Sequence, residues 1–197
     1  MATRKSTDGQ PTTDRPTIAA SAGIGAVAAA LGYLVTALLV RDEVRENMSQ
    51  VAEWKGTAWY YYSAHLVELE TSGAFGGFSG STTVDLIAQS GSANAELLYA
   101  IPPLVLVLSG ALLAHHLHAS DLGEAVAVGA PVTIGYALVL GLGVFATESS
   151  TEGSVFGIDA SSSVAPELVP AIVLAGILYP LVFATAGAAI GVLVDQR

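Results

Sequence analysis

Four histidines and a run of aromatic rings are the side chains of this sequence best suited to chemistry, and they fall in two places. His115, His116 and His118 crowd one short polar stretch that ends in Ser120-Asp121. On a helix His115 and His118 share a face at a three-residue step, and Asp121 follows at another. Catalytic zinc takes three such side chains and keeps a fourth position open, so His115, His118 and Asp121 are the metal candidates. The competing reading is a plain polar turn between two apolar segments. No HExxH pair or second ligand pair supports a metal, and no cofactor is expected.

The fourth histidine, His65, closes Trp59-Tyr60-Tyr61-Tyr62-Ser63-Ala64-His65. Val51, Trp54, Ala58, Tyr61 or Tyr62, His65 and Leu69 recur at three- and four-residue steps, which makes an apolar-aromatic helical stripe. Such rings favour a membrane–water interface, where the body of the ring is dry and its polar tip wet. Trp54, Trp59, Tyr62 and His65 therefore mark a helix lying in that interface. A dry imidazole without a partner costs about 1–3 kcal/mol, so His65 needs Glu68 or a carbonyl freed by proline.

Other chemistries lack their residues. There is no cysteine, hence no disulfide, thiolate ligand or cysteine nucleophile. No Ser/His/Asp arrangement can be specified, and the glycines of residues 73–77 follow no nucleotide fingerprint. Seventeen Asp or Glu against seven Lys or Arg give a net charge of -10, which excludes a polybasic nucleic-acid surface. An enzyme is not expected.

The elements that must position these residues are apolar helices. Hydrophobic residues make up 52% of the chain and charged ones only 12%, with mean hydropathy +0.60, far from the roughly 25% charge of soluble domains. Four runs are free of charge: about 17–40, 97–114, 125–146 and 168–194. Each is close to the ~20 residues that a helix needs to cross ~30 Å of hydrocarbon. Residues 1–16 read as a disordered polar tail ahead of a single membrane domain, 17–197. Residues 41–96 form a long loop that carries the aromatic helix, then a mobile Gly/Ser/Thr-rich stretch. Residues 147–167 form a second acidic loop.

No Asp, Glu, Lys, Arg or His lies deep in any run, which argues against a carrier with membrane carboxylates. The mid-run polar residues Tyr33, Thr36, Ser109, Thr133, Tyr136 and Thr185 can mostly be satisfied by their own helix. Pro102, Pro103, Pro131, Pro170 and Pro180 are candidate helix bends. Gly25, Gly32, Gly187 and Gly191 belong to small-residue stripes that let helices approach closely. Gly32-Tyr33 resembles Gly135-Tyr136, and Ala95-Glu96-Leu97 resembles Pro166-Glu167-Leu168. Either a helical hairpin is duplicated or low-complexity sequence matches by chance.

Even parity puts both termini on one side. Arg4, Lys5, Arg15 and Arg197 against Arg41, Arg45 and Lys55 lean to cytoplasmic termini of a multi-pass cell-membrane protein.

The stretch Trp59–Val67 resembles the aromatic–x–Ala-His signature of an uncharacterised haloarchaeal family of four-span membrane proteins, sometimes labelled transporters. That family has Asn where this chain has Ser63. Acid-rich, lysine-poor loops likewise resemble a halophilic archaeal composition.

The expected fold is all-α: a polytopic membrane protein, a four-transmembrane-helix bundle with an interfacial aromatic helix in the first long loop. The expected function is that of a non-enzymatic membrane subunit or scaffold. The alternative is a small oligomeric transporter or channel for an unknown solute. The partners implied are the lipid bilayer and a second copy or another membrane protein, with no nucleic acid.

Overall fold

The computed structural model describes residues 15–90, 93–155 and 157–196, so the tail expected over 1–16 lies outside them except for Arg15 and Pro16. Four helices are long and apolar enough to cross a membrane. The first runs Arg15–Asn47, past the expected end at Val40 and through Arg41, Asp42, Glu43, Arg45 and Glu46. The others are Leu97–His116, Leu122–Thr147 and Leu168–Asp195.

The prolines explain their irregularities. Pro102 and Pro103 open the second helix just after a 3-10 turn, where a missing N–H costs nothing. Pro131 interrupts the third helix between Gly129 and Val132. Pro170 and Pro180 bracket a π-helical stretch, Ala171–Leu178, in the fourth, where the Tyr179 N–H bonds the Leu174 carbonyl. The third helix starts on a cap: Asp121 accepts from the Glu124 N–H at 2.9 Å while the Glu124 carboxylate accepts from the Ser120 N–H at 2.7 Å.

The first helix packs on the second and third, and the fourth also packs on the second and third. Their ring order is therefore first, second, fourth, third. Backbones meet where glycine leaves room. A Cβ on Gly25 would strike the Val132 carbonyl, one on Gly135 that of Ala22, one on Gly110 that of Ala184, and one on Gly187 that of Val107.

The all-α expectation is overturned by a four-stranded antiparallel sheet of order β2-β1-β4-β3. Strands β1 (Leu69–Phe75) and β2 (Phe78–Val84) arise from the stretch read as a mobile loop. Strands β3 (Ser149–Val155) and β4 (Ile158–Pro166) arise from the second acidic loop. Gly76 and Gly77, at φ 56° and 88°, make a two-residue turn of the kind that needs positive φ twice, pairing Phe75 with Phe78. The central pair β1–β4 joins the two loops, from Leu69 opposite Pro166 to Phe75 opposite Ala160. Most strand residues are exposed on both faces, so serine, threonine and glycine suffice where an apolar face would otherwise be required.

The aromatic helix, Glu53–Ser63, also differs from the interfacial placement. Every residue from Gly56 to Ser63 is buried, wedged against the long helices, and only its first turn is exposed. The polar tips of Trp59, Tyr61 and Tyr62 find partners inside, so burial of their large apolar area is not opposed by lost hydrogen bonds.

Candidate functional site

The aromatic helix is held by its own side chains. The Tyr33 hydroxyl donates to the Trp54 carbonyl at 3.1 Å, and the Trp59 indole donates to the Thr147 carbonyl at 3.1 Å. The Tyr62 hydroxyl donates to the Leu140 carbonyl. Two glycines seat the rings: a Cβ on Gly32 would strike the Tyr61 ring, and one on Gly143 the Tyr62 hydroxyl. Gly32 thus receives a tyrosine rather than a neighbouring long helix.

The helix ends in a 6→1, 5→2 cap: the Val67 N–H bonds the Tyr62 carbonyl and the Leu66 N–H bonds that of Ser63. Leu66 occupies the left-handed position at φ 61°, which glycine usually fills and which costs other residues roughly 1–2 kcal/mol. That turn leaves His65 fully buried, facing inward.

His65 closes a ring of hydrogen bonds. Its Nδ1 lies 2.7 Å from the Tyr61 carbonyl, its Nε2 lies 2.7 Å from the Tyr136 hydroxyl, and that hydroxyl lies 2.7 Å from the Tyr61 hydroxyl. A carbonyl only accepts, so Nδ1 carries the proton. In the neutral imidazole Nε2 then accepts from Tyr136, and Tyr136 in turn accepts from Tyr61. Every polar atom of the imidazole is satisfied, with neither Glu68 nor a proline-freed carbonyl involved. Burial pushes the His65 imidazole down to about 4, outweighing its bond to the Tyr61 carbonyl, which acts the other way. Burial raises the Tyr61 phenol as well, against the lowering effect of its bond to Tyr136.

Aromatic contacts complete the cluster. The Tyr61 ring meets His65 edge-on at 4.7 Å, and Tyr179 lies 5.1 Å from His65, at the end of the π-helical stretch. The cluster thereby ties the aromatic helix to the third and fourth long helices. It holds no carboxylate or amine, and the lone pair of His65 Nε2 is taken by the Tyr136 hydroxyl: what the cluster can do is lock the interface, or unlock it if His65 takes a proton.

The turn histidines are arranged otherwise. His115 Nδ1 lies 2.9 Å from Asp195 Oδ2, both exposed. His118 occupies the left-handed position of a second cap at φ 56°, its N–H bonded to the His115 carbonyl and the Ala119 N–H to that of Ala114. Asp121 caps the next helix. Among the described residues no three His, Cys, Asp or Glu side chains are grouped to hold a metal ion. Thr36, Thr147 and Thr185 bond carbonyls of their own helix, at Gly32, Gly143 and Leu181. Gly191 lies over the backbone of Ala111, with 3.0 Å from an added Cβ to the carbonyl oxygen.

Tyr136 and Tyr179 are the members that the spacing of residues did not single out for the site. Tyr136 stood out as a polar residue in an apolar run and as part of the Gly135-Tyr136 repeat, and Tyr179 not at all.

A family model described as a family of unknown function (DUF7978) matches residues 1–195. No curated protein and no solved structure matches the chain.

Proposed function

The chain belongs to that family of unknown function, and we propose that it is an integral membrane protein acting as a non-enzymatic subunit or scaffold. In this reading the four long helices cross the bilayer, both termini are cytoplasmic and the sheet stands outside. The observation that carries it is the filled interior. His65, Tyr61 and Tyr136 occupy the space among the long helices and hydrogen-bond one another, and among the described residues buried side-chain polar atoms without a partner are confined to the Ser21 and Thr133 hydroxyls. Outside, β2 offers an open edge with no Asp, Glu, Lys, Arg or Pro, the kind of edge that accepts a partner strand.

The carrier reading draws on a different observation: the proline-bracketed π-helix beside His65 is a stretch that could move. Flux from reconstituted vesicles separates the two. The scaffold reading predicts potassium, chloride, amino-acid and sugar leakage equal to that of protein-free vesicles. A saturable flux that changes in Tyr136→Phe overturns it in favour of the carrier.

A further inference from the structure

A cleft of about 380 Å³ opens on the outside of the helical body between the first and third long helices. Ala30 and Leu34 line one wall, Val139 and Gly143 the other, and Trp54 and Thr147 stand at its rim. Its lining is almost wholly apolar, and Leu34, Val139 and Trp54 are exposed beside it. From Val139 to Thr147 the cleft follows about 12 Å of helix rise. An aqueous solute has no group to bond there; a hydrocarbon chain fits.

A cation sits at the same rim. The Lys55 ammonium donates to the Glu148 carbonyl and lies 5.6 Å from the centroid of the Trp54 ring. Trp54 lines the cleft and Glu148 directly follows the lining residue Thr147, so the charge lies beside the cleft. Arg41 and Arg45 are engaged by Glu53, at 3.7 and 2.9 Å. Among the described residues Lys55 forms no ion pair, and the Glu148 carboxylate does not supply one. A partly buried ammonium satisfied by a neutral carbonyl and a ring face keeps full attraction for an anion.

We propose that this cleft is a binding site for one anionic membrane phospholipid, with a hydrocarbon chain between the first and third long helices and the phosphate on Lys55. Exposed Trp54 fits that depth, since indoles favour the headgroup layer. The inference rests on the reading that the long helices cross a bilayer. Incorporation of the wild type into phosphatidylcholine nanodiscs tests that reading by itself: failure there overturns the bilayer reading and the lipid site with it, whereas incorporation without a lipid preference overturns the lipid site alone.

The lipid site is tested by thermal unfolding in detergent at one fixed salt concentration, with added phosphatidylglycerol, phosphatidylcholine or inorganic phosphate. The wild type should be stabilised by phosphatidylglycerol at least several-fold more effectively than by phosphatidylcholine, and not by phosphate alone. Lys55→Gln should abolish the preference and Lys55→Arg should keep it. Ala30→Phe, which fills the cleft, should lose the stabilisation while unfolding like the wild type without lipid. An unchanged preference in Lys55→Gln, an unchanged response in Ala30→Phe, or equal stabilisation by phosphate overturns the proposal.

Discussion

At the scale of the residue, His65 decides the character of the interior. A folded-state imidazole held near 4 stays neutral while the unfolded chain takes up a proton below about 6.5. Protons then bind the unfolded state preferentially, so stability is flat above that pH and falls as pH drops from about 6.5 toward 4. The measurement is a difference, so that every group other than residue 65 cancels. Melting temperature against pH for wild type and His65→Gln should diverge below pH 6.5, with the wild type losing more. Parallel curves would place His65 in water. Tyr136→Phe leaves Nε2 without its donor, and its expected cost is about 1–3 kcal/mol. His65 and its aromatic neighbours were legible because they cluster in sequence. Their partners were not. Tyr136 lies 71 residues from His65, and nothing in an apolar run marks one tyrosine as the one that meets an imidazole.

At the scale of the element, the long helices were plain from hydropathy, while the sheet was hidden. Strand periodicity shows when one face is apolar, and these strands are wet on both. The surviving signal was Gly76-Gly77 between Phe75 and Phe78, followed by Thr82-Thr83-Val84: a two-residue hairpin turn and β-branched residues. The aromatic helix was found in sequence but its burial was not, because a stripe of tyrosines suits an interface and a polar-lined interior equally. Small residues divide by what they face. Gly187 lies against the Val107 backbone, whereas a Cβ on Gly141 meets nothing within 4 Å. Gly187→Leu should therefore lower stability by about 1–3 kcal/mol through overpacking. Gly141→Leu should leave it unchanged or raise it through helix propensity. Equal melting temperatures for the two in detergent would show that the Gly187 face is open.

At the scale of the whole molecule, the ring order bears on the sequence repeat. A two-fold axis along the helices of this ring would exchange the first helix with the fourth, not with the third, whose sequence it resembles. The sheet agrees, since its central pair β1–β4 joins non-equivalent strands of the two loops. The architecture is thus a helical body closed from one end by the aromatic helix and capped there by a sheet drawn from both loops. Membrane placement, sidedness and the closed interior can be read in one measurement, because the chain lacks cysteine and each introduced thiol is unique. Ser79→Cys on exposed β2, Ser63→Cys in the buried aromatic helix and Ser120→Cys in the exposed turn are labelled in intact cells with a membrane-impermeant maleimide. The account predicts that Ser79→Cys reacts, Ser120→Cys reacts only after permeabilisation, and Ser63→Cys reacts only after unfolding. A Ser63→Cys thiol labelled as fast as that at residue 79 would contradict the closed interior, and with it the reading of this protein as a scaffold.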